Sequence, residues 1–464
     1  MKKAIGSALT LGISAVFIWP ASAWASSGQA IDLTSHTIGY AALAIFFLAY
    51  AFVMFEEFTH LRKSKPVILA AGILWGLVAW QYAIHDQSHL AEQAVRHNIM
   101  EYAELLLFLL VAMTYVNALE ERQVFNSLKS WLVRKGFSYR KLFWVTGCLA
   151  FFISPVADNL TTALLMCAVI LAVGSESPRF VGISCINIVI AANAGGAFSP
   201  FGDITTLMVW QKGILGFWDF FALFIPAAVS YLIPAAAMHF AIPNISPPAS
   251  DEHIPMRKGA KRIMALFLAT IITAVCFHNF LHLPPMLGMM TGLSYLLFFG
   301  YYLKRAELKE YGNGNAVVGF DVFNKVKRAE WDTLFFFYGV ILCVGALGQI
   351  GYLAMISDVM YAQMGPLFAN SMVGILSAIV DNIPVMFAVL SMNPDMSQGH
   401  WLLVTLTAGI GGSLLSIGSA AGVALMGQAR GKYTFFGHLK WTPVIALGYA
   451  AGIATHLWIN AASF

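Results

Sequence analysis

Three aspartates stand in apolar stretches beside residues that break helices. Ser154-Pro155-Val156-Ala157-Asp158-Asn159 and Ser377-Ala378-Ile379-Val380-Asp381-Asn382 share the pattern S-x-x-x-D-N. The third lies in Asn193-Ala194-Gly195-Gly196-Ala197-Phe198-Ser199-Pro200-Phe201-Gly202-Asp203-Ile204-Thr205-Thr206. Its counterpart is Gly411-Gly412-Ser413-Leu414-Leu415-Ser416-Ile417-Gly418-Ser419. Both keep Gly-Gly and then, six residues after the second glycine, another glycine followed at once by Asp203 or Ser419. Carboxylate, amide, hydroxyl and freed carbonyl oxygens are the ligands that hard cations prefer. A carboxyl group in apolar surroundings also takes up protons readily. An acid at the centre of a bilayer costs about 2.5–3.5 kcal/mol even on the mildest scale, so such residues mark ion or proton paths. Glu101 and Glu104, near the outer part of an apolar run at 100–119, are accessory candidates. No lysine or arginine falls within the inner apolar runs, so the expected occupant is a cation or a proton.

The elements that position these residues must cross a membrane. Of 464 residues, 59% are apolar without counting glycine and only 11% are charged, against about 25% charged in soluble domains. So few charges cannot cover a soluble surface of this size. A soluble enzyme, a disordered tail and a nucleic-acid binder are excluded. The net charge of +4 is scattered through short loops and makes no basic patch. Cys148, Cys167, Cys185, Cys276 and Cys343 read as small buried hydrophobes. His85, His89 and His97 read as members of one polar loop.

Residues 1–25 read as a probable signal peptide: Lys2 and Lys3, an apolar core, then Ala21-Ser22-Ala23-Trp24-Ala25. The loops 57–65, 120–141, 174–179, 242–262, 304–330 and 429–440 hold 23 of the 25 Lys/Arg residues beyond that leader, leaving only Arg96 and Lys212 elsewhere. That asymmetry puts those loops in the cytoplasm. It works only if 142–173 and 365–392 each enter and leave on one side. A straight helix over 142–173 would be about 48 Å long at 1.5 Å per residue, well beyond a bilayer core of about 30 Å. Broken at Ser154-Pro155, it gives two arms expected to be too short to span separately. The expected fold is an all-α polytopic membrane protein of inverted repeats. The first half, 26–262, holds a cytoplasm-facing re-entrant hairpin (142–173) and a broken helix (179–210). The second half, 263–464, holds an outside-facing hairpin (365–392) and a broken helix (401–428). Mid-membrane breaks of this kind line cavities and mark transporter binding sites.

These residues resemble the NhaD-type sodium/proton antiporters of the ion transporter superfamily, most specifically through S-P-F-G-D-I-T-T at 199–206. The resemblance implies exchange of Na⁺ or Li⁺ for H⁺ across a bacterial inner membrane, favoured at alkaline pH, by a carrier without enzymatic activity or cofactor. A homodimer is compatible with it. Carried over are Asp158, Asn159, Asn193, Asp203, Thr205 and Thr206, with Na⁺ or Li⁺ at Asp158 and Asp203. Ser377, Asn382, Ser416, Ser419 and Glu104 carry over too, beside Asp381 in its D-N motif and Glu101, Ser154 and Ser199 as accessory groups. The superfamily's dicarboxylate carriers have S-N-T where this chain has D-N. An arsenite- or dicarboxylate-type permease is the alternative, disfavoured because acids at the hairpin tips repel an anion. An intramembrane aspartyl protease is the remote one: Pro200 replaces the first glycine of its G-x-G-D pattern, and no tyrosine precedes Asp158.

Overall fold

A computed structural model of the chain describes residues 31–59, 61–174, 176–246, 253–311 and 320–464, so the expected signal peptide lies outside the described residues. Within them every regular element is helical. Among the described residues ten helices are long and apolar enough to cross a membrane. In chain order, the helices used below are α1 Thr37–Met54, α2 Ser64–Ile84, α3 Ser88–Glu121, α4 Val124–Arg134, α5 Tyr139–Ala157, α6 Asn159–Gly174, α7 Pro178–Gly196, α8 Ile204–Gln211 and α9 Phe224–His239. The second half supplies α10 Ala260–Leu281, α11 Pro285–Tyr311, α12 Val322–Lys327, α13 Trp331–Ile350, α14 Pro366–Val380, α15 Asn382–Met392, α16 Gln398–Gly411, α17 Ala420–Gln428, α18 Phe435–Leu439 and α19 Thr442–Ile459.

Two expectations are corrected. The polar loop drawn through His85, His89 and His97 is mostly helix, because α3 begins at Ser88. The break in the first long run comes at Asp158, not at Ser154-Pro155. Pro155 stays inside α5, and the chain turns at Asp158 with φ 57°. Asp381 turns the second run in the same way, with φ 80°. A side chain at such an angle costs on the order of 1–3 kcal/mol. Part of that is offset because each carboxylate caps the arm that follows: Asp158 accepts from Thr161 N at 2.7 Å, and Asp381 from Asn382 N at 2.8 Å. The later break leaves α5 with 19 residues, long enough to count among the ten candidate spans.

The ends of each broken run lie close together. Tyr139, which opens α5, stacks its ring on Phe180 just beyond α6, with centroids 4.0 Å apart. Asn370, near the start of α14, donates to His400 O at 2.9 Å beyond α15. The basic loops also meet one another: Arg140 Nε donates to Ile242 O at 3.1 Å, and Arg122 pairs with Glu307 at 2.5 Å.

Packing divides the helices into two groups. α2 packs along α13, α10 along α11, and α3 joins both pairs. The other group is built from α5, α6 and α7, from α14, α15 and α16, and from α9 against α19. At its centre α8 packs on α15, and α17 packs on α6, so the second arm of each interrupted segment lies on the second arm from the other half. The same pairs of positions meet in both halves. Ser154 Oγ donates to Ala192 O at 2.6 Å, and Ser377 Oγ to Ala408 O at 2.8 Å. A Cβ on Gly195 would strike Phe151 O, and one on Gly411 would strike Gly374 O. Only glycine allows those backbones to come so close.

Candidate functional site

The site grows from the breaks. After α7 the chain unwinds over 197–203 and restarts at Asp203, whose Oδ1 accepts from Thr205 N at 3.0 Å and from Thr205 Oγ1 at 3.1 Å. Carboxylates are favoured at such helix starts, where free N–H groups and the helix dipole both point. The equivalent start after α16 is Ser419, whose Oγ accepts from Gly422 N at 3.4 Å. Thr206 closes the first break by donating to Asp203 O at 2.7 Å and to Ser199 O at 2.9 Å. Ser199 Oγ ties that break to Pro155 O at 2.8 Å.

Asp203 is the meeting point of the two halves. Asn159 Nδ2 donates to its Oδ2 at 3.1 Å. Asn382 Nδ2 donates to Oδ1 and Oδ2 at 3.2 and 3.1 Å. The asparagine of each D-N motif is thus brought to one carboxylate, and every side-chain group bonded to that carboxylate is neutral. Asn159 Nδ2 also reaches Asn193 Oδ1 at 3.1 Å. Asn193 Nδ2 donates onward to Ser413 Oγ at 2.9 Å and Ser419 Oγ at 3.0 Å. Ser416 Oγ is buried and has no hydrogen-bond partner among the described residues.

Asp158, Asn159, Asp203, Asp381 and Asn382 line one cavity of about 80 Å³. Phe108 of α3 and Phe337 of α13 form part of its apolar wall, and Lys63, Glu330 and Thr333 line it from the starts of α2 and α13. Asp158 and Asp381 are half-buried, whereas Asp203 is 5% exposed. Both Asp158 carboxylate oxygens turn back to Thr161, onto N at 2.7 Å and Oγ1 at 2.8 Å. Asp158 and Asp381 therefore share a cavity with Asp203 without sharing its hydrogen bonds.

Not every candidate residue gathers there. The hydroxyls of Ser154, Ser377, Ser199 and Thr206 are given to backbone carbonyls. Glu101 and Glu104 line a separate cavity of about 610 Å³, with Lys212, Met208 and Phe387. Three participants escape the sequence reading. Ser413 stands in the quoted Gly411-Gly412-Ser413, and the repeat could have flagged it. Lys63 and Glu330 sit in loops, where nothing in the sequence shows that they reach the aspartates. Lys63 lies 4.6 Å over the Phe336 ring and within Coulombic reach of Asp381, so the cavity does contain a cationic side chain. Oxygen dominates its polar lining, with Asp158, Asp203, Asp381 and Glu330 against that one ammonium.

The sequence profile of a family described as "Citrate transporter" matches residues 50–409. The chain is 60% identical to the Na⁺/H⁺ antiporter NhaD of Alkalimonas amylolytica, over 95% of each chain. It is 59% identical to the NhaD of Vibrio cholerae, over 94% of this chain and 95% of the other. Sodium/proton antiporter 1 of Arabidopsis thaliana is 32% identical, over 90% of this chain and 72% of its own length.

Proposed function

This chain belongs to the citrate-transporter family and to the NhaD Na⁺/H⁺ antiporters, and from that premise we propose that it exchanges Na⁺ for H⁺ across a membrane by alternating access. The observation that carries this reading is the Asp203 carboxylate, held between Asn159 and Asn382 from the two halves by neutral groups alone. Such a carboxylate holds a proton or a cation, and the two compete for it. Turning the amide of Asn159 or Asn382 presents an oxygen in place of a donor. With Thr205, Ser419 and the unpartnered Ser416 hydroxyl, those amides supply neutral oxygens in exchange for the hydration shell of Na⁺ or Li⁺. Asp158 and Asp381, in the same cavity, attract the ion and can exchange protons with Asp203.

The architecture fits the same reading. Adjacent ends of α5–α6 and α14–α15 support two re-entrant hairpins, and an inverted repeat of 26–262 and 263–464 is supported by the parallel between the Ser154–Ala192 and Ser377–Ala408 contacts and between the Gly195–Phe151 and Gly411–Gly374 approaches. The hairpins and broken helices form the moving part, while α1, α2, α3, α10, α11 and α13 form the frame. We place it in the bacterial inner membrane, with the basic loops inside and activity favoured at alkaline pH, and a homodimer is compatible with this reading. A citrate- or arsenite-type permease is disfavoured, since four acids against one lysine repel an anion.

Purified protein in liposomes, with a trapped pH dye and an external Na⁺ pulse, tests the reaction. Alkalinisation or acidification of the lumen that follows the Na⁺ gradient in both directions is expected. Citrate uptake without Na⁺-driven proton movement would overturn it.

A further inference from the structure

Lys212 lies outside the basic loops and does not line the aspartate cavity. Of the two Lys/Arg residues outside the basic loops, Arg96 is paired with Glu92 on the same helix, one turn away. Lys212, at the end of α8, instead crosses to α3. Its Nζ lies 2.9 Å from Glu101 Oε1, and a longer contact of 3.4 Å reaches Leu390 O near the end of α15. Glu101 Oε1 is also met by His97 Nε2 at 3.2 Å. α8 and α15 pack together in the hairpin group, whereas α3 packs with α11 and α13 in the other. One ammonium therefore ties the two groups together.

The tie sits at a telling place. The cavity of Glu101, Glu104 and Lys212 shares no lining residue with the aspartate cavity. Met208, Leu105 and Phe387 lie on its wall. The aspartate cavity carries Lys63 and Glu330 of the basic loops, so the two cavities approach from opposite faces. A lysine facing an acidic vestibule would repel the ions of a cation carrier, yet here its charge is taken up by Glu101. The pair is partly shielded, with side-chain exposures of 29% and 20%. Any shift of α8 and α15 along α3 that opens this vestibule must part it.

We propose that Lys212 is a tethered cation that latches the outer side: it pairs with Glu101 while the aspartate cavity faces the cytoplasm, and it leaves Glu101 when that cavity opens outward. Lys212 is a positioning residue, acting on the balance between two states. The proposal rests on the Na⁺/H⁺ reading and on the placing of the basic loops inside. A pair of this exposure is worth about a two- to fivefold bias between states. Loss of the latch moves the population outward, and each face feels the shift with opposite sign.

The test is the apparent KM for Na⁺ measured separately at each face, in oriented proteoliposomes. Lys212→Gln should lower the outer KM relative to the inner one, so that their ratio changes about two- to fivefold. Lys212→Arg should restore both, and Glu101→Gln/Lys212→Gln should match either single change, since one interaction is lost only once. An outer KM that rises in Glu101→Gln while it falls in Lys212→Gln would mean a local field effect and overturn the latch. So would additive effects of the two glutamine substitutions. A second measurement uses Glu101→Cys/Lys212→Cys with the five native cysteines replaced. A short reducible thiol cross-linker should stop exchange until it is cleaved; undiminished exchange in the bridged protein would also overturn the latch. The unsubstituted chain in the same vesicles reports Na⁺/H⁺ exchange by itself, so failure of that reading is seen separately.

Discussion

Asp203 and Asp158 carry the same charge in different hydrogen-bond settings, and their substitutions separate charge from shape. Asp203→Asn keeps the volume but points an amide donor or an uncharged oxygen at Asn159 and Asn382, where a carboxylate now accepts from both. Asp158→Asn retains an oxygen for Thr161 and so keeps the cap on α6. Both variants should remain in the membrane and show Na⁺-driven proton movement no greater than empty vesicles. Normal exchange in either would remove that aspartate from the ion path. The hydroxyls divide further. Thr205 and Ser419 face the carboxylate network, and Thr205→Ala or Ser419→Ala removes one neutral oxygen, worth about 1 kcal/mol. About a fivefold rise in the KM for Na⁺ is expected, with turnover partly kept. Thr206 spends its hydrogen on the backbone of the break. Thr206→Ala should therefore lower the melting temperature, and a pure KM effect there would place Thr206 on the ion.

At the scale of elements, much of this was legible because membrane depth punishes irregularity. Apolar composition announced helices that cross a membrane, and the doubled S-x-x-x-D-N and Gly-Gly patterns marked the interruptions. The exact break was not legible. Proline suggested Ser154-Pro155, but α5 tolerates Pro155, and the turn falls on Asp158, where the carboxylate caps the next arm. The extension of α3 to Ser88 was hidden by its polar residues, which suit a helix end beyond the bilayer as well as a loop. Lys63 and Glu330 were invisible because their place in the cavity depends on tertiary packing alone. The doubled glycines lead to a direct expectation. Gly195 faces the Phe151 carbonyl of α5 and Gly411 the Gly374 carbonyl of α14, so a methyl group there forces the two helices apart. Gly195→Ala and Gly411→Ala should each destabilise the protein by about 1–3 kcal/mol and slow exchange. Gly76→Ala in α2, where a Cβ meets nothing within 4 Å, is the control and should lower neither the melting temperature nor the rate, since alanine favours the helix over glycine.

Among the described residues the aspartate cavity and the Glu101 vestibule share no lining residue, and a carrier needs two such compartments kept apart. An ion path open to both faces would dissipate the gradient that exchange uses, so each face must reach Asp203 in turn. Leu105, Met208 and Phe387 wall the vestibule and come from both helix groups, so relative movement of those groups is the expected way to breach the barrier between it and Asp203. Thiols placed in the two cavities read this directly. Ala420 lines the aspartate cavity, and Ser391 lines the vestibule. In a background without native cysteines, Ala420→Cys should react with a cationic, membrane-impermeant thiol reagent from the cytoplasmic face. Na⁺ should slow that reaction by occupying the site and by drawing the protein through its cycle. Ser391→Cys should react from the outer face and remain reactive when Na⁺ is present, because it lies beyond the barrier. The reagent carries positive charge, so the same acids that draw Na⁺ inward draw it too, and a neutral reagent of equal size should label Ala420→Cys more slowly. Labelling of Ala420→Cys from both faces at equal rates, untouched by Na⁺, would mean one continuous pore through Asp203, and alternating access would fall with it.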